Sequence, residues 1–372
     1  MKLNITQVRE IAKGAVRVTE EKDGFHFYRF TKEQEELYNN TNKDFYQKTF
    51  ATAGIRLTFK TDSRTLFLKT VTSKGSSRTY FSFDIFADGK PVGYLDNFSG
   101  VELPEKYPEA KLPQGAFEKT FSLGEGEKTV CVYFPWSVQS VVEEISIDDG
   151  AYIEPVKTEK KMLAFGDSIT HGYDALRPSM RYAARLADAL GAEEVNKAIG
   201  GECFFPELAA TKEDFQPEYI TVAYGTNDWS RKSAEEFRTN CRAFYTALSE
   251  NYPEAKIYAF TPIWRKDLNV EKKFGKFEDV EKYIRECVEG LKNVMVISGF
   301  DLVPEDEMYF ADRSLHPNDE GFDFYFKNLY KKLKYYYEVE TQGRVVRTVP
   351  CISHLYKSSH VSKRIYKKLW AC

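Results

Sequence analysis

The segment FGDSITHGY, residues 165–173, lies near the middle of the 372-residue chain. Leu163, Ala164 and Phe165 form an apolar run, a Gly-Asp-Ser turn follows, and helical sequence is expected from about Pro178. That order describes a strand whose carboxyl end opens onto a crevice. Ser168 then has two readings: a small residue whose hydroxyl braces the turn, or a nucleophile presented at the strand end. The neighbouring segments decide between them.

Downstream of AYIEPVKTEKK, residues 151–161, apolar runs of strand length alternate with longer helical stretches. Strands are expected at 162–165, 194–198, 219–224, 256–260 and 294–297. Between the third and fourth, residues 233–251 read as a helix. Ser233 and Glu236 match a capping box, and Phe237, Cys241, Phe244, Tyr245 and Leu248 recur on one face. Strand-helix alternation predicts a three-layer α/β domain with a parallel sheet, over residues 156–338. Ligands of such sheets gather at the carboxyl ends of the strands, where Ser168 lies.

Upstream the period changes. Ile55, Leu57 and Phe59, then Phe81, Phe83 and Ile85, then Val130, Val132 and Phe134 alternate in steps of two, as half-buried strands do. TDSR at 61–64 and ADGK at 87–90 are turn signals, the Asp88-Gly89 pair being suited to a tight hairpin. Residues 1–155 are therefore expected to form an antiparallel β-sandwich preceding the α/β domain. From Val339 onward seven Lys or Arg face one acid, Glu340, without apolar periodicity. Residues 339–372 are expected to be a flexible basic tail.

Composition narrows the function classes. A net charge of −3 argues against a nucleic-acid partner, and no apolar run is long enough to span a membrane. The N-terminal sequence lacks the apolar core of a secretory signal, so a cytoplasmic location is expected. The six cysteines show no C-x-x-C spacing and the five histidines form no metal-binding pair on a helical face, so reduced thiols and no metal or other cofactor are expected.

The expected strand ends carry chemistry. Gly166, Asp167 and Ser168 close the first strand; NKAIGGE brings Gly200 and Gly201 after the second; YGTND places Asn227 after the third; DRSLHPND offers Asp312 and His316 before the last helix. Acyl transfer needs a hydroxyl, an imidazole to take its proton, and donors where the oxyanion develops. Ser168, His316, and the set formed by the Ser168 N–H, the Gly201 N–H and the Asn227 side chain fill those roles.

In this order, GDSIT, NKAIGGE, GTND and HPND resemble the blocks of the SGNH, or GDSL-type, hydrolase superfamily. The resemblance covers about residues 161–337 and assigns its four naming residues to Ser168, Gly201, Asn227 and His316. With the sandwich in front, the architecture is similar to that of two-domain carbohydrate acetylesterases. One departure concerns the acid: the family commonly places it three residues before the histidine, where this chain has Arg313, and the available carboxylate, Asp312, lies four before.

The function implied is a serine esterase acting on short acyl, above all O-acetyl, esters on carbohydrates, as a small-molecule or polysaccharide substrate, through a triad of Ser168, His316 and Asp312 and an oxyanion hole. The alternatives are a lipid or thioester acylhydrolase, and a carbohydrate-binding protein whose displaced acid has cost it turnover. Trp229, Trp264 and His171 follow the strand ends and are candidate substrate contacts; packing of the site wall is the competing role. Asp167 is read as a brace of the turn, Asp228 as a cap or a contact, and Cys203 as a small buried apolar residue.

Overall fold

The computed structural model describes residues 1–341 and 348–349. In the N-terminal half two antiparallel sheets face one another. One runs in the order Arg17–Glu21, Gly24–Tyr28, Val138–Ile147, Thr65–Lys74, Ala116–Ser122. The other runs Ala12–Lys13, Arg56–Thr61, Lys128–Tyr133, Ser82–Ala87, Lys90–Asp96, with Glu154–Pro155 added to Arg56–Thr61. The alternating residues Leu57, Phe59, Phe83, Ile85, Val130 and Val132 all point into the core between them, as period-two sequence requires. The hairpin 82–96 turns at Asp88 and Gly89, both with positive φ (48° and 73°), the geometry of a two-residue turn that follows the twist of its strands. The TDSR segment instead carries the chain from one sheet to the other.

The second half is a parallel sheet in the order Ala192–Asn196, Lys160–Gly166, Tyr219–Ala223, Lys256–Phe260, Val294–Ile297. The strand that is first in sequence sits second in the sheet, so the connections leave it in opposite directions and open a crevice at its carboxyl end. Helices cover both faces, and two apolar clusters, one on each side, bury the sheet. On one side Phe237, Cys241, Phe244, Tyr245 and Leu248 of the helix Ala234–Asn251 form the buried face. Ser233 caps that helix by accepting from the Glu236 N–H (3.2 Å), while the Glu236 carboxylate accepts from Lys232 Nζ (2.6 Å). The expected capping box is thus only half made, because a neighbouring cation takes the second half.

The first strand extends to Lys160–Gly166 and the third ends at Ala223, and two further boundaries move for a physical reason. The second strand occupies Ala192–Asn196 rather than 194–198, because Glu193, Glu194 and Asn196 are buried polar residues that a hydrophobicity pattern does not register. Glu194 is held by a bidentate pair with Arg181 (2.9 and 2.8 Å) and Glu193 accepts from the Gly14 N–H (2.7 Å). The final helix, Asp319–Thr341, runs past the start of the expected basic tail at 339, and Thr348–Val349 pair in parallel with Val296 and Ile297. The other residues of that expected tail lie outside those described. No helix among the described residues is long and apolar enough to cross a membrane.

The contact between the halves is buried and mixed: Phe30, Tyr38, Tyr80, Phe98 and Trp136 join the apolar clusters of the α/β half, and polar bonds run among them. Arg29 of the sandwich, wholly buried, donates to the carbonyls of Lys48, Ala51, Asn196 and Ala198 at 2.7–3.1 Å. Trp136 donates through its indole N–H to the Ala175 carbonyl (2.8 Å). Donors and acceptors matched across an interface in this way fix relative position more strictly than apolar contact does.

Candidate active site

Ser168 opens a single helical turn, Ser168–His171, directly after the strand Lys160–Gly166. Asp167 caps the turn, its Oδ1 accepting from the Ile169 N–H (3.0 Å). Only glycine fits before it: a Cβ on Gly166 would lie 2.3 Å from Thr170 Oγ1 and 2.9 Å from the Ala223 carbonyl. The tight turn holds the Ser168 hydroxyl at the crevice with only 5% of the residue exposed.

His316 Nε2 lies 2.9 Å from Ser168 Oγ, and His316 Nδ1 lies 2.7 Å from Asp312 Oδ2. The other oxygen of Asp312 accepts the backbone N–H groups of Ser314 (2.9 Å), Leu315 (2.7 Å) and His316 (3.1 Å). The extra residue between acid and histidine is absorbed by Arg313, which takes a left-handed conformation (φ 57°) and tightens the loop. Burial would raise the Asp312 carboxyl, but the hydrogen bonds from His316 and the backbone hold it well below the usual range. Burial also opposes the His316 imidazolium. The bond to Asp312 and the charges of Asp174 and Asp312 outweigh it and raise the imidazole above its ordinary value.

Gly201 follows the strand Ala192–Asn196 with φ 91°, and Asn227 lies in the first turn of the helix Thr226–Arg231. Neither the Ser168 N–H nor the Gly201 N–H has an acceptor among the described residues. Asn227 Nδ2 donates to the Glu202 carbonyl (3.1 Å), which fixes the amide and leaves its second hydrogen for another acceptor. Arg231, exposed, donates to the Gly201 carbonyl (2.5 Å), and Phe45 of the sandwich half stands beside the same glycine. Lys48, from the same helix as Phe45, donates to the Gly200 carbonyl (2.8 Å).

Two of the expected substrate contacts are structural. Trp229 is fully buried: Lys272 and Arg265 lie 3.7 and 4.9 Å from its ring, Phe277 packs edge-on, and its N–H donates to the Gly275 carbonyl (3.0 Å). His171 is also fully buried. Its Nε2–H donates to the Trp136 carbonyl (2.9 Å) and its Nδ1 accepts from the Gly200 N–H (3.3 Å), so burial keeps it neutral and it braces the glycine loop. Neither side chain is open to a ligand. Trp264 is half-buried, packed on Phe310, in a loop tied to that of His316 by the Lys266 N–H on the Ser314 carbonyl (2.9 Å). Asp228 accepts from the Phe204 N–H (3.1 Å) and burial pushes it up to about 7. Cys203 is only half-buried, not enclosed, and its thiol is raised by burial.

Several residues escaped the sequence reading. Asp174 is wholly buried, has φ 103°, and places Oδ2 3.5 Å from His316 Nδ1. Arg78 and Tyr80 of the sandwich donate to its carboxylate, and Tyr107 to its carbonyl. Glu202, beneath Asn227, accepts from Tyr38 (2.7 Å) and Tyr224 (2.6 Å), and burial raises it to about 8 against those bonds. Only the positive φ of Asp174, a conformation Asp tolerates better than most residues, has a faint sequence correlate.

Beside Ser168 a cavity of about 20 Å³ is lined by Asp167, Ile169, Ala223, Thr226, Thr261, Pro262 and Ile263. A larger hollow of about 350 Å³ lies between Arg56, the 157–160 segment and Ala192, at the amino ends of the parallel strands and so at the opposite end of the sheet from Ser168.

Residues 164–324 match the model of the GDSL-like lipase/acylhydrolase family. No curated protein matches the chain. Among solved structures, the salicylyl-acyltransferase SsfX3 of a tetracycline biosynthetic pathway is 20% identical, with a TM-score of 0.71 over 87% of this chain and 93% of its own. A putative GDSL-like lipase from Bacteroides ovatus is 20% identical, with a TM-score of 0.70 over 91% of this chain and 98% of its own. A family two carbohydrate esterase from Clostridium thermocellum, in complex with cellohexaose, is 17% identical, with a TM-score of 0.58 over 76% and 93%. At such identities the likeness is one of fold, and it extends over both halves of the chain.

Proposed function

We propose that this chain, whose α/β domain belongs to the GDSL-like lipase/acylhydrolase (SGNH) family, is a serine hydrolase of short acyl esters, with O-acetyl groups on carbohydrate as the favoured substrate. The observation that carries the reading is the hydrogen-bonded series Ser168 Oγ, His316, Asp312, at 2.9 and 2.7 Å.

In this reading Ser168 Oγ attacks the ester carbonyl while His316 Nε2 takes its proton. Asp312 stays ionised, fixes the ring with Nδ1–H toward itself, and stabilises the imidazolium. The Ser168 and Gly201 N–H groups and the free hydrogen of Asn227 Nδ2 receive the oxyanion, each such donor being worth about 2.7–4 kcal/mol in the transition state. His316 then protonates the departing alcohol, and a water activated by the same imidazole frees the acid and restores Ser168. The idea of a binder without turnover rested on the displaced acid. Since Arg313 absorbs the displacement, that motive disappears.

A short acyl group is favoured because the loops after the strands carry Trp264 and charged neighbours such as Arg231, Arg265 and Lys266 rather than a run of Leu, Val and Met that would receive a long chain. The carbohydrate preference is supported by the shared two-domain fold of the cellohexaose-bound esterase. The test compares hydrolysis of p-nitrophenyl acetate, butyrate and octanoate by the wild type and Ser168→Ala, then acetate release from acetylated xylan. Loss of turnover in the variant and a fall in kcat/KM toward octanoate are expected. Unchanged turnover in Ser168→Ala would overturn the mechanism, and a rise toward octanoate without acetate release would transfer the reading to lipid esters.

A further inference from the structure

We propose that Asp174 is a second carboxylate partner of His316, clamped from the β-sandwich by Arg78 and Tyr80, so that the N-terminal half positions the catalytic imidazole. The inference rests on the hydrolase reading above for its catalytic meaning, though not for its geometry.

Asp174 Oδ2 lies 3.5 Å from His316 Nδ1, on which Asp312 Oδ2 stands at 2.7 Å. Asp174 is itself gripped on every polar atom that the sandwich can reach. Arg78 donates Nε to Oδ1 (2.7 Å) and Nη2 to Oδ2 (3.0 Å), Tyr80 donates to Oδ1 (2.6 Å), and Tyr107 donates to the carbonyl (2.5 Å). Its φ of 103° lies where a residue with a Cβ persists only if its surroundings enforce it, and such outliers gather at functional sites. Tyr173, next to it, lays its ring against the imidazole, with centroids 5.7 Å apart, and Arg78 lies 5.3 Å from the centroid of that same ring.

The charges explain the arrangement. Two carboxylates on one Nδ1 would repel each other if nothing else were present. Arg78 balances Asp174, so the set Asp312, Asp174 and Arg78 carries one net negative charge, which the imidazolium formed during acyl transfer neutralises. Asp174 and Arg78 thus act as a fixed dipole, negative end toward the ring, requiring little reorganisation when the proton arrives. Other groups near the ring are Tyr173 from the segment of Asp174 and Asp167 at the strand end, while Tyr107 of the sandwich acts on the Asp174 carbonyl. Burial raises the Tyr107 phenol above its ordinary value, and none of these groups is altered in the test below.

The dipole predicts opposite responses to removal of its two ends. Asp174→Asn leaves Arg78 facing the ring and disfavours the imidazolium; Arg78→Gln leaves Asp174 uncompensated and favours it. With histidine labelled at Cε1, the His316 resonance is assigned by its loss in His316→Asn and followed with pH. The midpoint is expected to move to lower pH in Asp174→Asn and to higher pH in Arg78→Gln. With p-nitrophenyl acetate, Asp174→Asn should lower kcat about tenfold with KM nearly unchanged, the mark of lost alignment. If Asp174→Asn fails to fold, Arg78→Gln and Tyr80→Phe still test the proposal, since Tyr80→Phe also removes a donor from Asp174 and should move the midpoint upward. Midpoints that stay at the wild-type pH, or shift the same way in Asp174→Asn and Arg78→Gln, would overturn it. Because the resonance is read without turnover, opposite shifts in a protein that hydrolyses nothing would defeat the hydrolase reading alone, and an active protein with unmoved midpoints would defeat this inference alone.

Discussion

Asp312 and Arg313 divide one task between a charge and a backbone angle. Asp312 holds His316 through Oδ2 and ties the loop through three N–H groups on Oδ1, whereas Arg313 supplies the left-handed turn and reaches outward to Glu105 (3.0 Å). Asp312→Asn should therefore lower kcat by roughly 10²–10⁴, and Arg313→Ala should leave it near wild type. Steady-state kinetics on p-nitrophenyl acetate decide this, and equal, mild effects would point to a Ser-His dyad. Glu202 has a different consequence. Its carboxyl is raised by burial from 4.5 to about 8, so the folded state holds a proton that the unfolded chain releases at lower pH. The stability linked to that proton is present in acid and is lost as pH rises toward about 8. Glu202→Gln removes the titration, so its melting temperature should exceed that of the wild type by more at pH 9 than at pH 5. Thermal melts at the two values check this, and a constant difference would show that Glu202 does not titrate in that window.

At the scale of elements, the helix Ala234–Asn251 shows what local sequence can and cannot specify. Its buried face follows the expected spacing residue by residue, because burial of one stripe is a property of the period alone. Its cap is settled by competition: Glu236 pairs with Lys232 and leaves Ser233 as the sole side-chain cap. Ser233→Ala should cost about 1 kcal/mol, while Glu236→Ala should cost only a few tenths, the loss of an exposed pair. Denaturant titration of both variants separates the two, and equal losses would show that Glu236 contributes to the cap after all. The strand Ala192–Asn196 carries the converse lesson. Its inward carboxylates are satisfied by Arg181 and the Gly14 N–H, partners distant in sequence or on the other half of the chain, so no local pattern announces them.

Across the whole molecule, the two halves share the site. Phe45 and Lys48 attend the glycine loop, Trp136 fixes His171, and Arg78, Tyr80 and Tyr107 hold the segment of Asp174. Arg29 fills a cluster of carbonyls from both halves, and burial lowers it to about 9. Removing it would leave several buried acceptors unsatisfied, each costing about 1–3 kcal/mol. The full chain should therefore unfold in one calorimetric transition, and residues 156–372 expressed alone should lack esterase activity. Two separable transitions, or an active α/β fragment, would show that the halves are independent.

The sequence by itself determined the class of each half and which candidate residues gather at the strand ends. A period of two, strand-helix alternation, and the placement of Ser168, Gly201, Asn227, Asp312 and His316 are local properties, written in consecutive residues. Folding decided which side chains face the crevice. Trp229 and His171 stand beside the motifs in sequence yet are turned into the core, because their polar atoms find the Gly275 and Trp136 carbonyls there. Arg78, Tyr80 and Asp174 are unremarkable residues in the chain. They become a unit only when the sandwich docks against the α/β domain, since the bonds joining Asp174 to Arg78 and Tyr80 span 96 and 94 residues, a separation that no periodicity or motif records.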